Sequence, residues 1–137
     1  MSLPWTESLE VRIYYEDTDS SGGVYHASYL KFLERARTEW LRRRGFEHRE
    51  VAGSTGVVFA VRSLQIDYLA AAFMDDLLKV DTQVTAFRGA SLEFLQRIFR
   101  GERKLIAATV MVAAIRDGRP TRIPVLLRRA LAGPTPG

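Results

Sequence analysis

The sequence of 137 residues contains no cysteine and only two histidines. The lack of cysteine excludes disulfides, thiolate metal sites and cysteine nucleophiles. The two histidines, His26 and His48, belong to no cluster of ligand-type residues, so we predict that the protein holds no metal. A Gly-x-Ser-x-Gly motif is also missing, which leaves serine hydrolase chemistry without support.

Long uncharged apolar runs are equally absent. No window of membrane-spanning length is free of charged residues. The first ten residues lack the basic region and apolar run of a signal peptide. We therefore expect a cytoplasmic protein without an integral membrane segment.

Positive charge is only in slight excess, with 20 lysines and arginines against 16 aspartates and glutamates. The arginines are dispersed in short groups, and no basic run is interleaved with aromatic residues as in single-strand binders. We therefore predict no nucleic-acid partner. The arginine triplet at 42–44 is explained by the negative carboxyl end of a preceding helix.

The apolar periodicity predicts one α+β domain over residues 1–137, with one antiparallel sheet packed on one long helix. Helical spacing marks an apolar stripe at Tyr29, Phe32, Leu33, Ala36 and Trp40. We expect a first strand at 9–15, the long helix at 28–44 stopped by Gly45, and an irregular connection at 46–54. Four strands that can pair by short turns follow at 56–69, 77–87, 91–100 and 104–115. A short helix is predicted at 124–131.

The predicted strand at 104–115 is apolar on both faces. A single helix covers only one face of a sheet, so the other face needs a second cover. Another copy of the same chain supplies one naturally, because most oligomers are symmetric assemblies of identical subunits. The sequence therefore predicts a homo-oligomer.

The stretch 14–29 joins the first strand to the long helix and contains Asp17, Asp19 and His26. It places these side chains beside the amino end of the helix, where backbone N–H groups lack partners and the helix dipole is positive. A carboxylate beside amide donors can attack a polarised carbonyl, or activate water to attack it. This stretch is the candidate catalytic site.

Simpler interpretations of this stretch exist. A calcium loop starts with a similar pattern, but it needs a preceding helix and a glutamate where this chain has Ser28. An aspartyl-phosphate phosphatase needs an apolar parallel strand before its first aspartate. Turn formation and capping explain Asp17. For His26 the plain alternative is a partly exposed side chain that helps to cap the helix.

The run VRIYYEDTDSSGGVYHASYLKFLERARTEWL at residues 11–41 closely resembles the hotdog-fold acyl-CoA thioesterases. The nearest match is the Tol-Pal-associated subfamily of the 4-hydroxybenzoyl-CoA thioesterase group, and the resemblance continues at 59–68, 75–78 and 88–94. It implies a hotdog fold, an antiparallel sheet wrapped around one long central helix. It also implies two subunits joined through their sheets, active sites at the subunit boundary, and dimers that often pair into a homotetramer.

Carried over residue by residue, the resemblance assigns the catalytic carboxylate to Asp19. It assigns the amide that polarises the thioester carbonyl to His26 or its neighbour. It implies that the pantetheine arm lies along Val61, Arg62 and Ser63 of the neighbouring subunit, and that the coenzyme A phosphates lie near the turn from Arg88 to Ser91. Arg88 is the only cation of its tripeptide, because Gly89 and Ala90 stand where relatives can have basic residues.

The resemblance leaves several alternatives open. Asp19 is either a nucleophile or a general base. The acyl carrier is either coenzyme A or acyl carrier protein. Coenzyme A would be part of the substrate, and no cofactor is implied. A non-catalytic hotdog module that binds these ligands is the competing function, whereas a hydratase carries a different Asp and His arrangement. Four aromatic residues either line an acyl pocket or belong to the core: Tyr15, Tyr25, Tyr29 and Phe59.

Overall fold

The computed structural model describes residues 6–45 and 48–132, which form one antiparallel sheet and its helices. The strands are β1 (Glu7–Arg12), β2 (Val58–Tyr68), β3 (Leu77–Arg88), β4 (Ser91–Arg100), β5 (Arg103–Arg116) and the short β6 (Arg119–Pro120). The helices are α1 (Ser28–Arg42), α2 (His48–Thr55) and α3 (Val125–Ala132), and a 3-10 turn spans Tyr15–Asp17.

The strand order across the sheet is β1-β3-β4-β5-β2, with β6 beside β5. Tight turns join β3 to β4 and β4 to β5, as the sequence predicted. The prediction that β2 also pairs with its successor by a short turn is wrong, because β2 pairs with β5. The connection at 69–76 instead links opposite parts of the sheet, which leaves β2 at an edge.

Helix α1 buries its apolar stripe against the sheet, and all five predicted stripe residues are buried. Trp40 meets Phe94 of β4 edge to face, with ring centroids 6.0 Å apart. Burying a large apolar side chain stabilises the fold by about 1.5–3 kcal/mol. The expected sheet around one long helix is therefore confirmed in the residues that the structure describes.

A polar network lies beneath α1 and fixes its position on the sheet. The Gln96 side chain on β4 is fully buried, and its Nε2 donates to the Leu33 carbonyl oxygen and to the Thr82 hydroxyl, both at 2.9 Å. Its Oε1 accepts from the Arg37 guanidinium at 3.0 Å. Because each buried polar atom of Gln96 has a partner, the network avoids the desolvation penalty and sets one orientation of the helix.

Two predicted boundaries are wrong. The first strand ends at Arg12 instead of residue 15, because the Ile13 N–H and carbonyl pair with Asp76 and Asp75 and the chain then turns into the 3-10 segment. Tyr15 is consequently 82% exposed instead of half-buried. The region 48–55, within the connection predicted to be irregular, is α2; residues 46 and 47 lie outside the described part. The predicted stop at Gly45 is confirmed by its φ of +83°.

The edge strand β2 exposes an unusual amount of apolar surface. Exposed side chains along it and just beyond it are Val58, Val61, Leu64, Tyr68 and Leu69. By contrast, every outer-face residue of β5 between Leu105 and Ile115 is buried or half-buried. Within the sheet, exposed apolar side chains are therefore concentrated on β2 and not on the strand that suggested an oligomer. No helix of the described residues is long and apolar enough to cross a membrane.

Candidate active site

Asp17 fixes the turn between β1 and α1. Its side chain is buried, and one carboxylate oxygen accepts the Tyr14 N–H at 2.9 Å. The Asp17 N–H donates to the Tyr14 carbonyl oxygen at 3.0 Å, and the Asp17 carbonyl oxygen accepts the Tyr25 N–H at 2.8 Å. The turn-forming role predicted for Asp17 is confirmed, because its carboxylate is already used by the backbone.

Asp19 lies two residues further along and faces solvent. Its N–H donates to the Gly23 carbonyl oxygen at 2.9 Å, and its carbonyl oxygen accepts the Gly22 N–H at 3.0 Å. Gly22 has a φ of +88°, which glycine adopts without the clash that a side chain causes. This tight loop holds Asp19 in the wall of an open groove that also includes Tyr15 and Met74.

The Asp19 carboxylate is held by the residue two positions later. Its Oδ1 accepts the Ser21 N–H at 2.8 Å and the Ser21 hydroxyl at 2.5 Å. These hydrogen bonds hold the pKa of the Asp19 carboxyl below its usual value, and the bond from the Ser21 hydroxyl has the largest effect. The charge of His26 lowers the pKa further. Asp19 is therefore an ionised, exposed carboxylate at neutral pH.

The connection at 69–76 supports the acidic turn. The Val24 N–H donates to the Ala72 carbonyl oxygen at 2.9 Å, and Gly23 pairs with Phe73 as an isolated bridge. The Ala72 N–H in turn donates to the buried Tyr29 hydroxyl at 3.0 Å, and burial raises the pKa of Tyr29. The turn is thus anchored to the first residues of α1 and to the sheet at once.

The amino end of α1 presents free donors near this turn. The Ser28 N–H donates to the Tyr25 carbonyl oxygen, but the N–H groups of His26 and Ala27 donate to no partner within the described residues. The Tyr68 hydroxyl, from β2, donates to the His26 carbonyl oxygen at 3.0 Å and fixes this peptide. Two oriented amides at the positive end of a helix of 15 residues can polarise a carbonyl.

A second groove, of about 560 Å³, lies on the outer face of the sheet and is lined in part by Arg62, Arg88 and Ser91. Two β-bulges contribute to it. The register of β2 skips Arg62 and the register of β3 skips Thr85, and both residues line the groove. Bulges re-aim side chains, so the local irregularities of two strands turn these two side chains toward one surface.

The comparisons with known proteins agree with this arrangement. Residues 21–107 match the thioesterase superfamily. The chain belongs to this superfamily. The acyl-CoA thioesterase YbgC of Haemophilus influenzae is 48% identical over 112 residues, which cover 82% of this chain and 82% of that protein.

Solved structures agree on the fold. A probable thioesterase from Bartonella henselae has a TM-score of 0.84 and 38% identity, covering 88% of this chain and 100% of that one. The 4-hydroxybenzoyl-CoA thioesterase from Pseudomonas sp. strain CBS-3 has a TM-score of 0.85 over 91% of this chain and 98% of that one. Its 20% identity supports the fold alone. The hotdog fold predicted from the sequence is confirmed.

The site residues predicted for this thioesterase fall in three places. Asp19, Tyr25 and His26 lie together on the acidic turn and the start of α1, where the Tyr25 and His26 ring centroids are 4.6 Å apart. Arg62, Arg88 and Ser91 line the outer groove. Val61 lies in a cleft of about 170 Å³ between α1 and the sheet, beside Phe59. Nothing among the residues that line the outer groove comes from the acidic turn.

The four aromatic candidates for the acyl pocket separate by burial. Tyr29 is buried among core residues. Tyr15 and Tyr25 are exposed on either side of Asp19 in the sequence, and Phe59 is half-buried in the cleft beside α1. Tyr29 therefore belongs to the core and not to an acyl pocket. The other three aromatic residues have exposed surface that a substrate can reach.

Three residues that lie beside the predicted site residues were not identified from the sequence. The spacing Asp-x-Ser, typical of a side chain that bonds the backbone two residues later, marks Ser21. No local signal marks Tyr68, which reaches His26 from 42 positions away. Nor does one mark Arg122, which is exposed beside the Arg88–Ser91 turn because the Ile123 N–H donates to the Gly89 carbonyl oxygen at 2.8 Å.

Proposed function

We propose that this thioesterase hydrolyses acyl-CoA to a free acid and coenzyme A, with Asp19 as the reacting carboxylate. The observation that carries the proposal is the joint placement of Asp19 and the free amides. An exposed carboxylate with a lowered pKa stands on the same turn as the two unused N–H groups of His26 and Ala27. A nucleophile or base next to a site for the developing oxyanion is what acyl transfer requires.

In the proposed reaction the thioester carbonyl oxygen accepts hydrogen bonds from the amides of His26 and Ala27. The free oxygen of Asp19, Oδ2, forms a bond to the carbonyl carbon, and the carbon–sulfur bond breaks to release the coenzyme A thiolate. Water then hydrolyses the mixed anhydride, which returns the carboxylate and releases the acid. In the general-base variant Asp19 instead takes a proton from the water that attacks the thioester.

The outer groove is the proposed site for the nucleotide end of the substrate. Arg62 and Arg88 line it, and Arg122 lies beside its turn, so three guanidinium groups face the solvent in this part of the surface. Arginine binds phosphate oxygens through paired hydrogen bonds. Ser91 adds a hydroxyl, and Val61 together with Tyr25 borders the proposed path of the pantetheine and acyl portions.

Two copies of the chain joined through β2 form the proposed assembly. The exposed edge of β2 presents unpaired backbone groups together with Val61, Leu64 and Tyr68, a surface that pairs readily with another strand. Pairing would continue the sheet across a two-fold axis. It would also join the outer groove of one copy to the acidic turn of the other, which lie apart in one chain. We place this reaction in the cytoplasm.

Thiol release from a panel of acyl-CoAs tests the proposal, with wild type compared with Asp19→Asn. The asparagine keeps the shape and removes the charge, so we expect turnover to fall by about a hundredfold or more. Glu16→Gln is the matched control, because Glu16 is an exposed carboxylate of the same turn and we expect its loss to leave turnover unchanged.

Near-wild-type turnover in a folded Asp19→Asn would contradict the assignment of Asp19. If folded wild type releases no thiol from any acyl-CoA, the same panel is repeated with acyl groups on acyl carrier protein. Thiol release from those substrates would show that the carrier is acyl carrier protein and that the reaction is still thioester hydrolysis. No release from either carrier would favour a module that only binds them.

A further inference from the structure

Ser21 makes two hydrogen bonds to one atom of Asp19. Its N–H and its hydroxyl both donate to Oδ1, at 2.8 Å and 2.5 Å, and the Ser21 Oγ also accepts the Gly23 N–H at 3.3 Å. The hydroxyl is therefore oriented by the loop while it holds the carboxylate. No hydrogen bond to Oδ2 occurs among the described residues.

We infer that Ser21 is a positioning residue that presents Oδ2 of Asp19 to the thioester and keeps the carboxylate ready to react at acidic pH. The inference rests on the proposed role of Asp19. An exposed aspartate otherwise rotates freely about its side-chain bonds. Two donors on one oxygen restrict that rotation and leave the second oxygen pointing away from them, which raises the population of reactive geometries.

The hydrogen bonds also set the pH range of the proposed nucleophile. They stabilise the ionised carboxylate, so the Asp19 pKa is lowered, and removal of the hydroxyl raises that pKa toward its ordinary value. The acid limb of activity, which reports protonation of Asp19, then moves to higher pH. Two charged or titratable groups lie near the Asp19 carboxylate. They are His26, which also lowers the Asp19 pKa, and Tyr15, which lines the same groove. Asp17 is buried, and its carboxylate accepts the Tyr14 N–H.

The neighbouring serine offers a matched control. Ser20 is exposed and lines the same groove, but it makes no hydrogen bond within the described residues. Ser20→Ala therefore removes a serine hydroxyl from the same loop and leaves the hydrogen bonds of Asp19 intact. Ser21→Thr keeps the hydroxyl and adds a methyl group at an exposed position, so it serves as the conservative rescue.

The experiment measures kcat and kcat/KM for one acyl-CoA across the pH range in wild type, Ser21→Ala, Ser21→Thr and Ser20→Ala. For Ser21→Ala we expect kcat at neutral pH to fall about three- to tenfold with KM unchanged, the size of one hydrogen bond. We also expect its acid limb to shift to higher pH. Ser21→Thr should restore both properties, and Ser20→Ala should match wild type.

A carbon-13 NMR titration of Asp19 in the same variants gives the pKa without any turnover. If Ser21→Ala leaves both the acid limb and the titration of Asp19 where they are in wild type, while Asp19→Asn is inactive, the inference is overturned and the proposed function stands. If Asp19→Asn keeps full activity, the proposed role of Asp19 fails. The titration then tests Ser21 separately, because an Asp19 pKa that is equal in Ser21→Ala and wild type would contradict the effect of the Ser21 hydroxyl.

Discussion

The acidic turn and the β2 edge contribute to one proposed site but are built in opposite ways. In the turn, almost every polar group of Asp17, Asp19 and Gly23 is used by a neighbour, and Asp17 is 7% exposed. Along β2, nine of the eleven residues are exposed, and one side of the backbone has no strand partner. The turn orients its groups within one chain, whereas the proposed assembly would complete the edge with a strand of another molecule. The proposed reacting groups thus depend on local hydrogen bonds, and the proposed assembly depends on exposed apolar area.

A charge placed on the β2 edge should have the largest effect. Val61→Lys puts two like charges into the proposed two-fold interface, so we expect the dissociation constant of the proposed dimer to rise at least a hundredfold, about 3 kcal/mol. Sedimentation equilibrium measures the change. Val125→Lys on α3 is the matched control, because both valines are 51% exposed. An assembly equally weakened by both variants, or by neither, would contradict pairing through β2.

Loss of the Asp17 carboxylate should have the next largest effect. Asp17→Ala leaves the part-buried Tyr14 N–H without its acceptor, and we expect a loss of about 1–3 kcal/mol in the free energy of unfolding. Denaturant titration measures it. Glu16→Ala removes an exposed carboxylate from the adjacent position and should change the stability little. An Asp17→Ala protein as stable as Glu16→Ala would show that the turn is not held by this bond.

Arg122 should have the smallest effect, confined to substrate binding. Arg122→Ala removes one guanidinium beside the Arg88 turn, and we expect KM for acyl-CoA to rise about three- to tenfold with little change in kcat. An acyl-N-acetylcysteamine thioester, which has no phosphates, should be turned over equally by variant and wild type. Arg97→Ala, an exposed arginine near the other end of β4, is the control. An equal KM change for both thioesters would rule out a phosphate contact.

Regular elements could be predicted where their periodicity was strong. The α1 stripe and the strands β3, β4 and β5 were predicted within two residues, because burial of one face dictates the spacing of apolar residues. Helix α2 was missed because Gly53, Ser54 and Thr55 have low helix propensity, whereas in the structure the Arg116 guanidinium binds the Thr55 carbonyl oxygen at 3.0 Å. The pairing of β2 with β5 was missed because strand order depends on contacts between distant segments.

The candidate site divides along the same line. Asp17, Asp19 and His26 lie within ten residues, so the sequence alone places the proposed reacting carboxylate, Asp19, beside the start of a helix, and the resemblance to known thioesterases implies its role. The bonds that tune Asp19 are equally local, and the Asp-x-Ser spacing implies them. Only the tertiary structure brings Tyr68 to His26, Arg62 to Arg88, and Arg122 to the Gly89 turn. Those contacts join residues far apart in the chain, and they exist because the sheet closes over α1 and leaves β2 at its edge.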